Sequence, residues 1–236
     1  MALPKLKHPI FTIELPSNKS TIKFRPFLVK EEKILLMAMQ GEDPTEIISA
    51  IKQVINNCIV TEGIDVDELA TIDLEYLFIK VRAKSVNNII KLSYRDVEDE
   101  KVYNVEVNLD EVEVKSFPNH SNKIEIDSKT GIMLRYPRAK MSADLNESSS
   151  ETELFFNIFK NCIDYIYDDA NHYPANEYSD EELDDFLQQL DVKTFKKIQD
   201  FFTTMPRLHY EVKYMNSLGK PKVITLSTLN DFFTLG

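Results

Sequence analysis

Four histidines, two cysteines and a surplus of acids are the residues of this chain that could do chemistry. His8, His120, His172 and His209 lie far apart with no His-x-x-x-His pair, so the zinc-protease pattern is absent. Cys58 and Cys162 each fall in an apolar helical stripe, where a thiol behaves as a small hydrophobe. A nucleophile would need a base beside it and a partly open, electropositive pocket. Two cysteines also make neither a disulfide framework nor a four-cysteine zinc site. The acidic runs Asp168-Asp169 and Asp180-Glu-Glu-Leu-Asp-Asp185 offer the oxygen ligands that a metal-dependent hydrolase would use. They lack the alternating spacing and central glycine of a calcium loop, and a solvated loop and helix start suit them better. The five glycines do not cluster, which excludes Gly-x-Gly-x-x-Gly and P-loop phosphate cradles; Gly-x-Ser-x-Gly is also missing. No catalytic, cofactor-binding or metal-ligating residue is assigned, and no small-molecule substrate is expected.

Composition narrows the partners. The 236 residues are 43% apolar, enough for a globular core, and 28 Lys+Arg stand against 39 Asp+Glu for a net charge of −11. Such a surface repels polyphosphate and argues against a nucleic-acid partner. No apolar run approaches the ~18 residues of a membrane span, and the opening residues lack the apolar centre of a secretion signal. The expectation is a soluble protein of a reducing compartment.

The elements that position these residues follow from periodicity. Phe11-Thr-Ile-Glu-Leu15 and Thr21-Ile-Lys-Phe24 alternate around turn residues and predict a hairpin, ended by Arg25-Pro26. A helix is expected from Val29 to Gln40 with Gly41 as its stop. A second starts at Asp43-Pro44 and carries Ile47, Ile48, Ile51, Val54, Ile55 and Cys58 as one stripe. Asp73 is expected to cap a third, with Leu74, Leu77, Phe78 and Val81 inward and Lys80, Arg82 and Lys84 on its other side. From Asn88 the period becomes two: strands are expected at 90–94, 102–107, 112–114 and 132–136. The polar, serine-rich stretch Met141 to Thr152 reads as a flexible loop or a tether. Helical spacing then runs from Glu153 to Tyr167, Ser179 caps an acidic turn, and Phe195, Ile198, Phe201 and Phe202 form another helical face. A hairpin is expected over 208–215 and 223–226.

The two halves match in places. Ser20-Thr-Ile-Lys-Phe-Arg25-Pro26 aligns with Thr130-Gly-Ile-Met-Leu-Arg135-Tyr-Pro137, and Ile55-Asn-Asn-Cys58-Ile59 with Phe159-Lys-Asn-Cys162-Ile163. The matches are short and their offset drifts, so internal duplication and chance both stay open. The expected fold is α+β, with two small helix-plus-β-hairpin lobes at residues 1–117 and 118–236.

Contact residues stand out more than chemical ones. Fourteen phenylalanines, and apolar groups near helix ends and the chain end, suit a core or an anchor for another subunit. Phe24, Arg25, Phe27, Phe201, Phe202, Phe232 and Phe233 are the candidate partner contacts.

Several longer segments carry a resemblance. Phe24-Arg-Pro-Phe-Leu-Val-Lys-Glu-Glu-Lys-Ile-Leu-Leu36, with Leu3-Pro-Lys5 and Ile13-Glu-Leu-Pro16 before it, and Asp73-Leu-Glu-Tyr-Leu-Phe-Ile-Lys-Val-Arg-Ala-Lys-Ser85 after it, resemble the baseplate hub subunit and hub assembly proteins of T4-like contractile-tailed phages. Phe201-Phe202-Thr-Thr-Met-Pro-Arg-Leu208 and Leu229-Asn-Asp-Phe-Phe233 are similar to C-terminal signatures of that family. The resemblance implies a non-enzymatic virion component of the tail baseplate, assembled in the host cytoplasm, that holds other hub and wedge proteins in register. A transient hub assembly chaperone absent from the finished virion is the alternative. Some relatives carry paired cysteines in the hairpins after each long helix, like a zinc-ribbon knuckle. Here those turns read Tyr94-Arg-Asp-Val-Glu-Asp99 and Tyr214-Met-Asn-Ser-Leu-Gly219, so packing and hydrogen bonds are expected to replace a metal clip.

Overall fold

The β1–β2 hairpin (Phe11–Glu14 and Thr21–Phe24) is built as its alternation demands, with Ile22 and Phe24 inward and Thr21 and Lys23 outward. It opens a computed structural model that describes residues 6–41, 43–141 and 150–232. Among those residues the protein is α+β, with six α-helices and eleven strands in small antiparallel sheets. Two compact units form: residues 1–115 with 206–236, and residues 116–205.

In the first unit α1 (Val29–Gly41) and α2 (Pro44–Cys58) follow the hairpin. Asp43 caps α2 by accepting from the Thr45 N–H at 2.9 Å, and proline takes the first helical position, where no N–H is needed. Ala50, Ile51, Val54, Ile55 and Cys58 form its buried stripe. Helix α3 (Thr71–Ser85) starts three residues earlier than the Asp73 cap predicts, because Ala70 takes the cap position. Asp73 instead lies buried inside the first turn, where the Ser17 N–H (2.9 Å) and hydroxyl donate to it, tying the β1–β2 turn to α3. Burial pushes its carboxyl up, with the Ser17 bonds opposing.

The C-terminal hairpin corrects the expected division. Strands β10 (Arg207–Met215) and β11 (Pro221–Leu226) do not complete the second lobe; β10 pairs with β5 (Glu113–Lys115) of the first unit. Leu208, Val212 and Leu226 share one core with Ile72 and Ile79 of α3 and with Leu92 of β3 (Ile89–Arg95) and Val105 and Val107 of β4 (Val102–Asn108). That apolar face is the physical reason: β3 and β4 alone are a two-stranded ribbon and need cover. At their tips the two hairpins interlock. Tyr214 donates to buried Asp96 at 2.5 Å, and Asp99 accepts from the Ser217 N–H at 2.9 Å and hydroxyl at 2.8 Å. Burial pushes Asp99 up, but the bonds from Tyr103 and Ser217 outweigh it and hold the carboxyl well below its usual range. Hydrogen bonds thus join the two turns.

The second unit is a four-stranded meander ordered β6-β7-β8-β9 with three helices. Its strands are β6 (Lys123–Glu125), β7 (Gly131–Leu134), β8 (Ile163–Tyr167) and β9 (His172–Pro174). Helix α4 (Glu151–Cys162) begins at a Ser150–Glu153 capping box. It stops five residues short of the expected Tyr167, since Ile163-Asp-Tyr-Ile-Tyr167 pairs as β8 between β7 and β9. Apolar residues at 159, 163 and 166 satisfy a helical period, yet β-branched and aromatic side chains favour the strand once neighbours exist to pair with it. The expected loop or tether at Met141–Thr152 lies mostly outside the described residues, which exclude 142–149. Helices α5 (Asp180–Leu187) and α6 (Val192–Thr204) are capped by Ser179, in a second capping box, and by Asp191. Ile132, Leu134, Phe159, Ile163, Leu183, Ile198 and Phe201 fill the core.

The matched sequence segments form matched geometry. The Arg25 N–H donates to the Cys58 carbonyl at 2.9 Å, and the Arg135 N–H to the Cys162 carbonyl at 2.8 Å. Each side chain reaches one residue further back, Arg25 to the Asn57 carbonyl at 2.9 Å and Arg135 Nε to the Asn161 carbonyl at 3.2 Å. Phe24 bridges to Ile59 as Leu134 pairs with Ile163.

Candidate functional site

The candidate contact residues divide sharply by burial. Phe24, Phe27 and Phe232 are buried in the first unit and Phe201 in the second. Phe24 packs 5.8 Å from the Phe11 ring, Phe27 donates its N–H to Ser85 Oγ at 2.9 Å, and Phe232 belongs to the core of α3 and the hairpins. Rings so enclosed have no surface left for another chain, so these four are core residues. Phe233 lies outside the described residues. Arg25 and Phe202 remain half-buried.

Arg25 acts inside the first unit. Its guanidinium holds fully buried Glu31 at 2.9 Å, and the other Glu31 oxygen accepts from the Leu28 N–H at 2.8 Å. Burial pushes the Glu31 carboxyl up, but the bonds from Arg25 and Leu28 prevail and hold it below its usual range. The start of α1 is therefore fixed by a buried ion pair, and Ala38 is its other buried residue. Its outer face exposes Val29, Leu36, Met37 and Met39. The signal was present in sequence: Ile34-Leu-Leu-Met-Ala-Met39 is apolar on all sides, wider than the stripe a surface helix needs.

A second apolar surface joins α4 and α6. Phe155 sits 5.7 Å from Phe195 and 5.4 Å from Phe202, edge to face, and Phe156 stacks on Phe195 at 5.6 Å. Phe156 is exposed, Phe155, Phe195 and Phe202 are half-buried, and exposed Val192 adjoins at the start of α6. Aromatic edges of this kind suit the centre of a protein interface. Beside them Lys160 of α4 binds Asp184 at 2.9 Å and Asp180 at 3.4 Å, which fixes the acidic α5 against α4. Sequence reading found these rings as helical faces and missed that they meet.

His120 and the two cysteines are engaged or buried inside their units. His120 Nδ1 lies 3.0 Å from Thr204 Oγ1 and Nε2 lies 3.0 Å from the Tyr136 hydroxyl. Thr204 already donates to the Asp200 carbonyl, so its oxygen accepts from Nδ1–H while Tyr136 donates to Nε2. That arrangement suits a neutral ring, and burial pushes the His120 pKa down. An open groove of about 600 Å³ lies beside it, lined by Lys123, Glu125, Lys197 and Asp200 among others. Lys123 binds Glu125 at 3.1 Å and Lys197 binds the Glu125 carbonyl, so both lysines of the groove are engaged. Burial raises the thiols of Cys58 to about 11 and Cys162 to about 12, the opposite of an activated nucleophile. Among the described residues no group of three or more His, Cys, Asp or Glu could hold a metal ion, and no helix is long and apolar enough to cross a membrane.

The sequence model of the family described as T4 bacteriophage base plate protein matches residues 8–234. The chain belongs to that family. Its base plate match spans both units, so it covers the Arg25 node, α1, the α4–α6 aromatic seam and the interlocked hairpins together. No match was found among curated proteins or among solved structures.

Proposed function

We propose that this base plate protein is a non-enzymatic structural subunit of the hub region of the phage tail base plate, assembled in the host cytoplasm and carried in the virion. It works by holding other hub and wedge proteins in register. The observation that supports this reading is the family match over residues 8–234, nearly the whole chain. The seam of Phe155, Phe156, Phe195 and Phe202 supports it by supplying a rigid aromatic anchor. The acidic turn of α5 beside it favours basic patches on the partner.

The test is mass spectrometry of purified tails, with incorporation of a Phe156→Asp variant measured alongside. Stoichiometric presence of the wild type, with the variant excluded from tails but melting normally, is the expected result. Absence from finished tails would favour the transient assembly chaperone. Normal incorporation of the variant would remove the seam as the contact.

A further inference from the structure

We propose that His120 is an acid-sensitive latch of the second unit, holding the two ends of that unit together while its ring is neutral and releasing them when the ring takes up a proton. The second unit is an insertion: the chain leaves the first unit after Lys115 and returns to it at Pro206. In the first unit Lys115 and Arg207 face each other across β5 and β10. In the second, His120 lies just after the entry and binds Thr204, the last residue of α6, just before the exit. The ring also stacks between two aromatic faces, its centre 5.6 Å from Tyr136 and 5.2 Å from Phe201. Phe201 is a core residue of this unit, so the latch is seated on the core.

Proton count makes the latch sensitive. Nδ1–H donates to Thr204 and Nε2 accepts from Tyr136, so a neutral ring satisfies both partners. A proton on Nε2 would face a hydroxyl that already donates there, and the charge it brings would meet hydroxyls at both nitrogens and a carboxylate at neither. Lys123 and Glu125 of β6 and Lys197 and Asp200 of α6 line the adjoining groove, two of each sign. Tyr136, in the segment after β7, is the titratable group on the ring itself. Burial disfavours the charged ring, with a smaller opposing bond from Asn122. The folded ring therefore takes its proton below the ordinary value of 6.5, while the unfolded chain takes it there. The stabilisation is full above that value and is lost as pH falls from it to the folded one. Glu31 of the first unit responds in a separate window, below 4.5. The buried cores of the two units draw on different residues, so opening is confined to the second. This inference does not depend on the base plate reading.

Urea unfolding of the full chain at about pH 7.5 and about pH 5.5 tests it. Cys58 reports the first unit and Cys162 the second, each labelled briefly with a pyridyl disulfide, which reacts with thiols in mild acid. The Cys162 opening constant should rise on acidification, up to the limit of about tenfold per pH unit that one proton sets, while that of Cys58 stays within about twofold. His120→Phe keeps a ring between Tyr136 and Phe201 and takes no proton, so its Cys162 opening should be equal at both pH values whatever its starting level. Tyr136→Phe removes the donor to Nε2 and should move the titration of the His120 ring, followed by its carbon-bound protons in NMR, towards higher pH. Equal changes at Cys58 and Cys162 overturn the proposal. So do a wild-type Cys162 opening constant that ignores pH, an unaltered pH effect in His120→Phe, and a His120 ring that titrates at its ordinary value.

Discussion

Arg25 and Arg135 stand at the same point of two similar arrangements, each following the second strand of a hairpin and bonding to the Asn-Cys end of a helix. Their surroundings differ. Arg25 also neutralises a carboxylate with no solvent contact, whereas the ion pair of Arg135 is 3.5 Å from Asp164, which is half in water. In the first unit the node must anchor α1, and a buried charge pair does so. In the second, the residues after the cysteine continue into a full strand that pairs with β7 and β9, so backbone bonds carry the load. One local motif is thus stabilised by side chains in one place and by a sheet in the other.

The largest test of this contrast is Arg25→Ala. It leaves buried Glu31 only the exposed Lys30 at 3.3 Å and the Leu28 N–H as partners and should cost ~3 kcal/mol, while Arg135→Ala should cost about 1 kcal/mol. Urea unfolding with hydrogen exchange resolved by unit measures both, and equal losses would break the comparison. Next is Gly131→Ala. A methyl there would overlap the Tyr167 phenol and the Ile124 carbonyl because β8 lies against β7, so a loss of ~2 kcal/mol is expected. Thr21→Ala, exposed at the matching place in the first hairpin, should change stability by a few tenths of a kcal/mol at most.

Acid sharpens the contrast further. The Glu31 pKa is lowered on folding, so its contribution is full above the ordinary value of 4.5 and is lost as pH falls through and below it. The advantage of the wild type over Glu31→Gln should therefore shrink on acidification; a constant difference from neutral pH down to about pH 3 would contradict the assignment. The smallest difference expected is at the cysteines. Both thiols are buried and raised, so neither should react with a thiol reagent in the folded chain at mildly alkaline pH, and both should react in denaturant. Fast labelling of Cys58 alone would show that its node opens.

Much of the local architecture was legible. The stripe and cap of α2, the Ser179 cap of α5 and the alternation of β3, β4 and β10 depend on neighbours a few residues away, and they appear where spacing places them. The misreadings share one cause. Ile163–Tyr167 looks helical by period and becomes a strand because β7 and β9 flank it. Asp73 looks like a cap and instead binds Ser17, 56 residues away in sequence. Phe201 and Phe232 look like anchors and are enclosed by elements distant in sequence.

Amino-acid order alone therefore determined the periodicities, caps and turns, and through whole segments the family to which the chain belongs, because these depend on contacts within a turn or two of the backbone. Only the tertiary structure decided which apolar faces were covered: β10 and β11 close the first unit, Phe24, Phe27, Phe201 and Phe232 go inside, and Leu36, Met37 and Phe156 stay out. The reason is that burial is a property of the assembled surface, and identical side chains are core or contact according to what folds over them.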